Sequence, residues 1–380
     1  MFNQNIFKQA QYAILILTAL TGIYILMTIT KKPLPDNLQT LFNDVTALNE
    51  HARKEPLTLK NYTIDGFDIS GVIFNKASFS NTEWSDVTAK NSKFTNTTFI
   101  DTVFKNVNLK KSKFSNVIFE NVEFIDTDLI GSEIVNIQFN NCKFIRSELH
   151  SLRNSSIEVN NSVLDGTTFF LSTLRAKFND SKLTAVRLED LKLPSSLSFN
   201  KGNINFELSR SSLEKLSIAG STLTEAGGIK NTIKEVFLKD LKGDSIVLGY
   251  SNIDKATIES SELDERGFSI PDANIKSLTV IGANHGVVSI DGKHGEIKII
   301  NSIIPELDFD GAAINNLHIQ NSKIEDGVFE NLKAKKLEFE NVTLDGPMNF
   351  KNAQIDQFIN KNTTQTPRAV IDLSGSNIKF

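Results

Sequence analysis

From Leu59 to Leu149 every fifth residue of this chain is apolar. The column runs Leu59, Ile64, Ile69, Phe74, Phe79, Trp84, Ala89, Phe94, Phe99, Phe104, Leu109, Phe114, Phe119, Phe124, Leu129, Ile134, Phe139, Phe144 and Leu149. All 19 positions are apolar, where a 40% apolar composition would place about 8 by chance. Ten of the 27 phenylalanines stand in it and form the core ladder: Phe74, Phe79, Phe94, Phe99, Phe104, Phe114, Phe119, Phe124, Phe139 and Phe144. A period of five suits neither a helix, with its period of 3.6, nor a flat strand, with its period of 2.

A second column, two residues earlier, is small or β-branched and includes Val72, Ala77, Thr82, Val87, Ser92, Thr97, Thr102, Val107, Ser112 and Cys142. Between the columns stand Asn81, Asp86, Asn91, Asn96, Asp101, Asn106, Asn116, Asn121, Asp126 and Asn136, residue types that tolerate a tight corner. A coil with four faces of five residues satisfies all three columns, with the large and small residues both pointing inward.

These tandem units resemble the pentapeptide-repeat family, whose usual unit is a small residue, then Asp or Asn, then Leu or Phe, then two variable positions. Thr127-Asp128-Leu129 and Val107-Asn108-Leu109 match it closely, while Lys or Glu often takes the Asp or Asn place elsewhere. The resemblance implies an all-β chain: a right-handed, parallel, quadrilateral β-helix solenoid. Its quinolone-resistance branch imitates duplex DNA and binds DNA gyrase.

Past residue 150 the five-residue register slips, but a coil of about 20 residues persists as apolar-x-apolar-x-x-small-x-apolar. Copies begin at Leu216, Val236, Ala256, Leu278, Ile297, Leu317 and Leu337. One continuous solenoid is therefore expected, of roughly 15 coils and some 70 Å at the usual strand spacing.

Ahead of the repeats, Tyr12 to Ile29 carries no charge and is just long enough to cross a bilayer core. The expectation is a single transmembrane helix, an uncleaved signal anchor in contact with membrane lipid. Its apolar residues are Tyr12, Ile14, Leu15, Ile16, Leu17, Leu20, Ile23, Tyr24, Ile25, Leu26 and Ile29. Lys8 lies before it and Lys31 and Lys32 after it, so flanking charge does not orient it. A short stub before a large body favours a body outside the cytoplasm, on a bacterial inner membrane facing the periplasm.

Pro33 and Pro35 stop that helix. Asp36 then reads as an N-cap with Gln39 three residues on, followed by an apolar stripe of Leu38, Leu41, Phe42, Val45 and Leu48. One short amphipathic helix is expected to fold over the open end of the coil and hide its strand edge. The organisation is thus a membrane anchor over 1–32, a linker and capping helix over 33–56, a regular repeat over 57–150 and a degenerate continuation over 151–380.

Function has to come from outward residues, because packing consumes the inward ones. No cofactor, metal or catalytic set emerges. Of the five histidines (His51, His150, His285, His294 and His318), His285 and His294 fall in the one irregular stretch, Asn284 to Glu296, which reads as a loop bulging from the coil. His318 is expected to face outward between Lys298 and Glu338 in a solvated charge ladder. Asp264, Glu265 and Arg266 form a compact charged trio at a turn, too little for a polysaccharide-cleaving β-helix. Cys142 falls in the small inward column, so a buried filler is expected rather than a reactive thiol.

Net charge argues against a nucleic-acid partner and against a DNA mimic. Removing the four acidic and five basic residues of positions 1–56 leaves 41 acidic and 36 basic side chains on the body. Duplex DNA carries one charge per about 1.7 Å. The reading is a non-enzymatic, membrane-anchored scaffold or protein-interaction module of a bacterial envelope complex, with protein partners along its outer face or ends. An uncovered last coil, Ile371 to Phe380, would also allow pairing with a second copy. The alternatives within the same fold are a DNA-mimicking, gyrase-binding protein and a membrane-associated secreted effector, with a polysaccharide-active β-helix enzyme third.

Overall fold

The computed structural model describes residues 30–152, 155–170, 172–264, 267–284 and 286–379. It is a parallel β-solenoid. One column of stacked positions crosses it from end to end: Leu59, Phe79, Phe99, Phe119, Phe139, Val159, Phe178, Phe199, Ile218, Leu238, Ile258, Val280, Ile299, Ile319, Phe339 and Asn360, joined by fifteen successive parallel pairings. At the spacing of hydrogen-bonded strands this makes a rod about 70 Å long.

The five-residue face has a simple local cause. Three residues of strand with only the middle one buried, such as Lys93–Thr95, are followed by one residue in the left-handed region that turns the corner. Asn81, Asp86, Asn91, Asn96, Asp101, Asn106, Asn116, Asn121, Asp126 and Asn136 all have φ between 50 and 54°. Asn and Asp accept this conformation because a short polar side chain bonds locally at little steric cost. Side-chain amides also bond up the corner, from Asn136 to Asn116 at 3.2 Å and from Asn116 to Asn96 at 3.1 Å.

Inside, the phenylalanines stack in register. Phe79 and Phe99 lie 4.9 Å apart at 10°, Phe99 and Phe119 5.1 Å at 8°, and Phe124 and Phe144 4.6 Å at 7°, while rings on adjoining faces meet edge-on, as Phe119 and Phe124 do at 67°. The small column carries hydroxyls because the corners leave carbonyls to satisfy. Ser112 Oγ donates to the Ala89 carbonyl at 2.8 Å and Ser132 Oγ to the Leu109 carbonyl at 2.9 Å. Cys142 takes a serine's place, its thiol 3.5 Å from the Phe119 carbonyl.

Beyond residue 150 the coil lengthens its strands rather than ending. Faces merge into bent strands of eight residues, such as Ser212–Ala219 and Asn252–Glu259, and even of fourteen, Phe268–Ile281 and Val287–Ile300. Leu216, Val236, Ala256, Leu278, Ile297, Leu317 and Leu337 stack as one column, matching the periodic starts read in the sequence.

The N-terminal end is closed by two helices where the sequence suggested one, α1 (Asp36–Phe42) and α2 (Val45–Lys54). Asp44 breaks the segment because its carboxylate accepts from the Thr46 and Ala47 amides and so caps α2. Asp36 is not the N-cap. Pro35 holds that place, and Gln39 turns its amide back to the Leu34 carbonyl at 2.6 Å. Phe42 and Leu48 are fully buried over the first coil, and Lys32–Pro33 adds a short strand beside Tyr62 and Thr63.

An asparagine closes a strand edge at each end. Asn49 of α2 donates to the Gly71 carbonyl at 3.2 Å and accepts from the Ile73 amide at 2.7 Å, so its side chain stands in for a peptide of the missing neighbour strand. Asn377 does the same at the other end, accepting from the Ile355 amide at 2.8 Å and donating to the Ile355 carbonyl at 3.0 Å. Near that end, Thr364–Gln365 forms a short strand against Thr343 and Leu344.

Among the described residues no helix is long and apolar enough to cross a membrane. The expected anchor, Tyr12 to Ile29, lies outside the described residues.

Candidate interaction surface

Each outward column presents the same strand position from successive coils, so its side chains sit one strand spacing apart. Ionic rungs follow from that geometry. Lys113 reaches Glu133 at 3.1 Å, Arg146 reaches Asp126 at 2.7 Å, Lys234 reaches Glu214 at 2.8 Å and Lys276 reaches Asp254 at 2.6 Å, each across adjacent coils. Pairing of this kind stitches coils together and cancels charge locally. It opposes any imitation of a uniformly anionic duplex.

The densest polar set lies near the C-terminal end. Lys298, His318 and Glu338 stack in one column, as the sequence indicated. The ladder is not solvated throughout, however, since Glu338 is only 7% exposed. Lys336 and Lys361 hold its two oxygens at 2.6 and 2.7 Å. These two ammonium groups, Lys336 foremost, draw the Glu338 carboxyl down to about 2. On the next face of the same coil, Lys323, Thr366 and Arg368 clasp Asp345 and keep its carboxyl well below the usual carboxylate range. Asp345 thereby ties the last coil to the body.

His318, Glu338 and Glu340 bring three ligand-type atoms within 4.8 Å of one another. Both oxygens of Glu338 already serve lysines, so this set is an ion-pair network rather than a metal centre. A carboxyl held below its ordinary 4.5 contributes stability above that pH and loses it as pH falls toward about 2. Glu338→Gln is therefore expected to cost up to about 3 kcal/mol at neutral pH and to flatten the acid loss of stability between these limits, read by denaturant melts across pH.

The remaining expected sites resolve simply. Burial pushes the Cys142 thiol up to about 12, which makes it a packing residue. His51 lies on α2, 3.6 Å from Glu55. His285, Glu265, Arg266 and Phe380 lie outside the described residues, as does the side chain of His150. The stretch before Glu296 is not a bulging loop. Val287–Ile300 is one strand in register with Phe268–Ile281, and it places His294 in an otherwise aliphatic inward column with Ile253, Ile275, Ile314, Ala334 and Ile355. Sequence periodicity missed this because a one-residue irregularity between Ile270 and Ala273 shifts the frame.

Two long grooves run along the corners of the rod. One, of about 860 Å³, has Ile137, Ile157, Ala176 and Leu197 on its floor and Arg175, Lys177 and Lys215 among its rim residues. The other, of about 840 Å³, spans the coils from Asn252 to Asp356.

Residues 40–124, under a quarter of the chain, match the family model described as the SV2A/B/C luminal domain. Among solved structures, QnrB1, a plasmid-mediated fluoroquinolone resistance protein, is 16% identical over 41% of this chain and 84% of its own, with a TM-score of 0.33. HetL, a pentapeptide repeat protein involved in heterocyst differentiation regulation in the cyanobacterium Nostoc, is 15% identical over 63% of this chain and 92% of its own, with a TM-score of 0.27. The chain resembles these pentapeptide-repeat proteins in its repeat. No curated protein matches it at a significant level. The architecture rests on the register of the chain's own strands.

Proposed function

We propose that this protein is a non-enzymatic, membrane-tethered scaffold whose β-solenoid presents its outer face and free end to protein partners of a bacterial envelope complex. One observation carries the reading. The solenoid begins at Lys32–Pro33, three residues beyond the apolar run Tyr12 to Ile29, so a helix formed by that run would hold the rod's first coil against the bilayer. A body tied so closely suits an anchored spacer better than a freely diffusing gyrase binder, and the paired charges of its surface support the same choice. The chemistry left to the outer surface is recognition, since the inward columns are filled by the core.

A second reading concerns the free end. Asn377 covers the outer edge of Gln354–Lys361 only at Ile355; among the described residues no strand adds to the rest of that edge, which can accept a second copy of the chain. Sedimentation of the purified chain tests it, a dimer being expected and a monomer at all concentrations discarding it.

The scaffold reading is tested by protease accessibility of the body in intact cells and in spheroplasts, with crosslinked proteins recovered by affinity. Cleavage only after the outer barrier is opened, with envelope proteins recovered, is the expected result. Protection until the membrane is lysed places the rod in the cytoplasm and overturns the envelope assignment.

A further inference from the structure

Most corners of the rod are turned by Asn, Asp, Lys or Gly, and among the described residues the one aromatic side chain in that left-handed conformation is Tyr250, at φ 51°. A bulky residue there costs backbone energy, and such strain gathers at functional sites. Burial within the chain does not offset the cost, since Tyr250 is 56% exposed. The neighbouring corners are ordered about it. The Tyr250 amide donates to the Pro271 carbonyl and the Lys230 amide to the Gly249 carbonyl, so Lys230 lies one coil before Tyr250 and Asp272 one coil after. Both are exposed, and neither has an ion-pair partner among the described residues. Two coils, about 10 Å, separate them with the ring between, so they do not meet each other.

The face beside this corner shows the same inversion. Ile229 and Pro271 flank Gly249, one coil to either side, and Ile229 is 44% exposed. In the next outward column Arg187 stands three coils before Val247 and Asp308 three coils after it, with Glu207 and the Ser289 hydroxyl two coils to either side. Glu189 and Asp190, at the rim, are already neutralised by Arg210. A two-fold axis lying in this face along the strand direction, at the height of Tyr250, reverses the order of the coils and sets each column over itself. It brings Lys230 to Asp272, Ile229 to Pro271 and Arg187 to Asp308.

We propose that this face binds the same face of a second copy of the chain, the two rods running antiparallel with Tyr250 of each packed together at the two-fold axis. An isologous contact requires that what stands before the axis suit what stands after it, and the order of these columns meets that requirement. Parallel rods would instead set Lys230 against Lys230 and Asp272 against Asp272. Six strand spacings by one five-residue face make a patch of about 30 by 16 Å. The two copies together bury roughly 1,000 Å², the size of a weak and transient interface. Antiparallel rods lying along a bilayer keep both N-terminal ends at one membrane, where confinement raises the effective concentration. This side-by-side pairing uses no residue of the free end and is independent of that second reading.

The test is sedimentation of the detergent-solubilised full chain over a concentration series into the high micromolar range, where a reversible dimer is expected. Lys230→Asp is expected to weaken it at least about tenfold, because like charges then face each other twice. Lys230→Asp combined with Asp272→Lys in one chain exchanges the pair and is expected to restore the dimer. Lys and Asp already occupy these two left-handed corners, at φ 58° and 51°, so the exchange leaves the backbone undisturbed. Tyr250→Asn, which puts the usual corner residue in place, is expected to abolish the dimer without lowering the melting temperature. A monomer at every concentration, self-association unchanged in Lys230→Asp or Tyr250→Asn, or an exchange variant as weak as Lys230→Asp alone would overturn the proposal. A dimer held by the free end is indifferent to Tyr250 and Lys230, so the two pairings fail separately.

Discussion

Phe119→Asp is expected to unfold the regular coils as a block, with loss of the β signal in circular dichroism and no cooperative melt. Phe119 is 3% exposed, stacks on Phe99 and Phe139 at 5.1 and 5.0 Å, and meets Phe124 edge-on at 5.2 Å. Truncation to alanine alone would cost about 3–5 kcal/mol through lost burial and a cavity. A carboxylate adds the cost of an unpaired charge among rings, and the total exceeds a typical margin of stability. The damage spreads because each coil is stable only against its neighbours. Phe119→Leu, which keeps most of the apolar volume, is expected to cost far less and to retain the fold. A native spectrum and melt for the aspartate variant would refute the inward register.

Phe42→Ala is the second large effect. Phe42 is fully exposed to none of the solvent, packs edge-on against Phe67 at 5.6 Å, and with Leu48 seals the first coil. Its loss is expected to cost about 3–5 kcal/mol. The distinctive consequence lies in how the chain fails. With α1 loosened, α2 no longer holds Asn49 against the Gly71 carbonyl and the Ile73 amide, and an open strand edge recruits other chains. Light scattering is expected to rise before the global melt, and hydrogen exchange to accelerate first in residues 57–80. Scattering that begins only at the global melt would show that the helices are dispensable to the end coil.

Much of the rod was legible without coordinates, and the reason is repetition. Phe104 and Phe124 occupy equivalent volumes one coil apart, stacked at 5.2 Å and 10°, so each repeat states again which residues face inward. The corner asparagines were legible for the same reason, since a left-handed turn recurs every five residues and few side chains accept it. The broken helix was not. Asp36 and Asp44 are both acceptable caps by type, and only the packing of Phe42 and Leu48 on the first coil selects Asp44.

The same division holds for the surface. Sequence alone determined the inward columns, the corners, the coil length and the near balance of charge, because each depends on residue type at a fixed local spacing. Tertiary structure alone decided which outward groups meet. Coil lengths drift by a residue or two beyond residue 150, so Glu338 meets Lys361 from the next coil, Asp345 meets Arg368, and the neighbours of His294 are Ile275 and Ile314. Contacts across coils depend on the accumulated register of every coil between, and a single-residue shift reassigns them all.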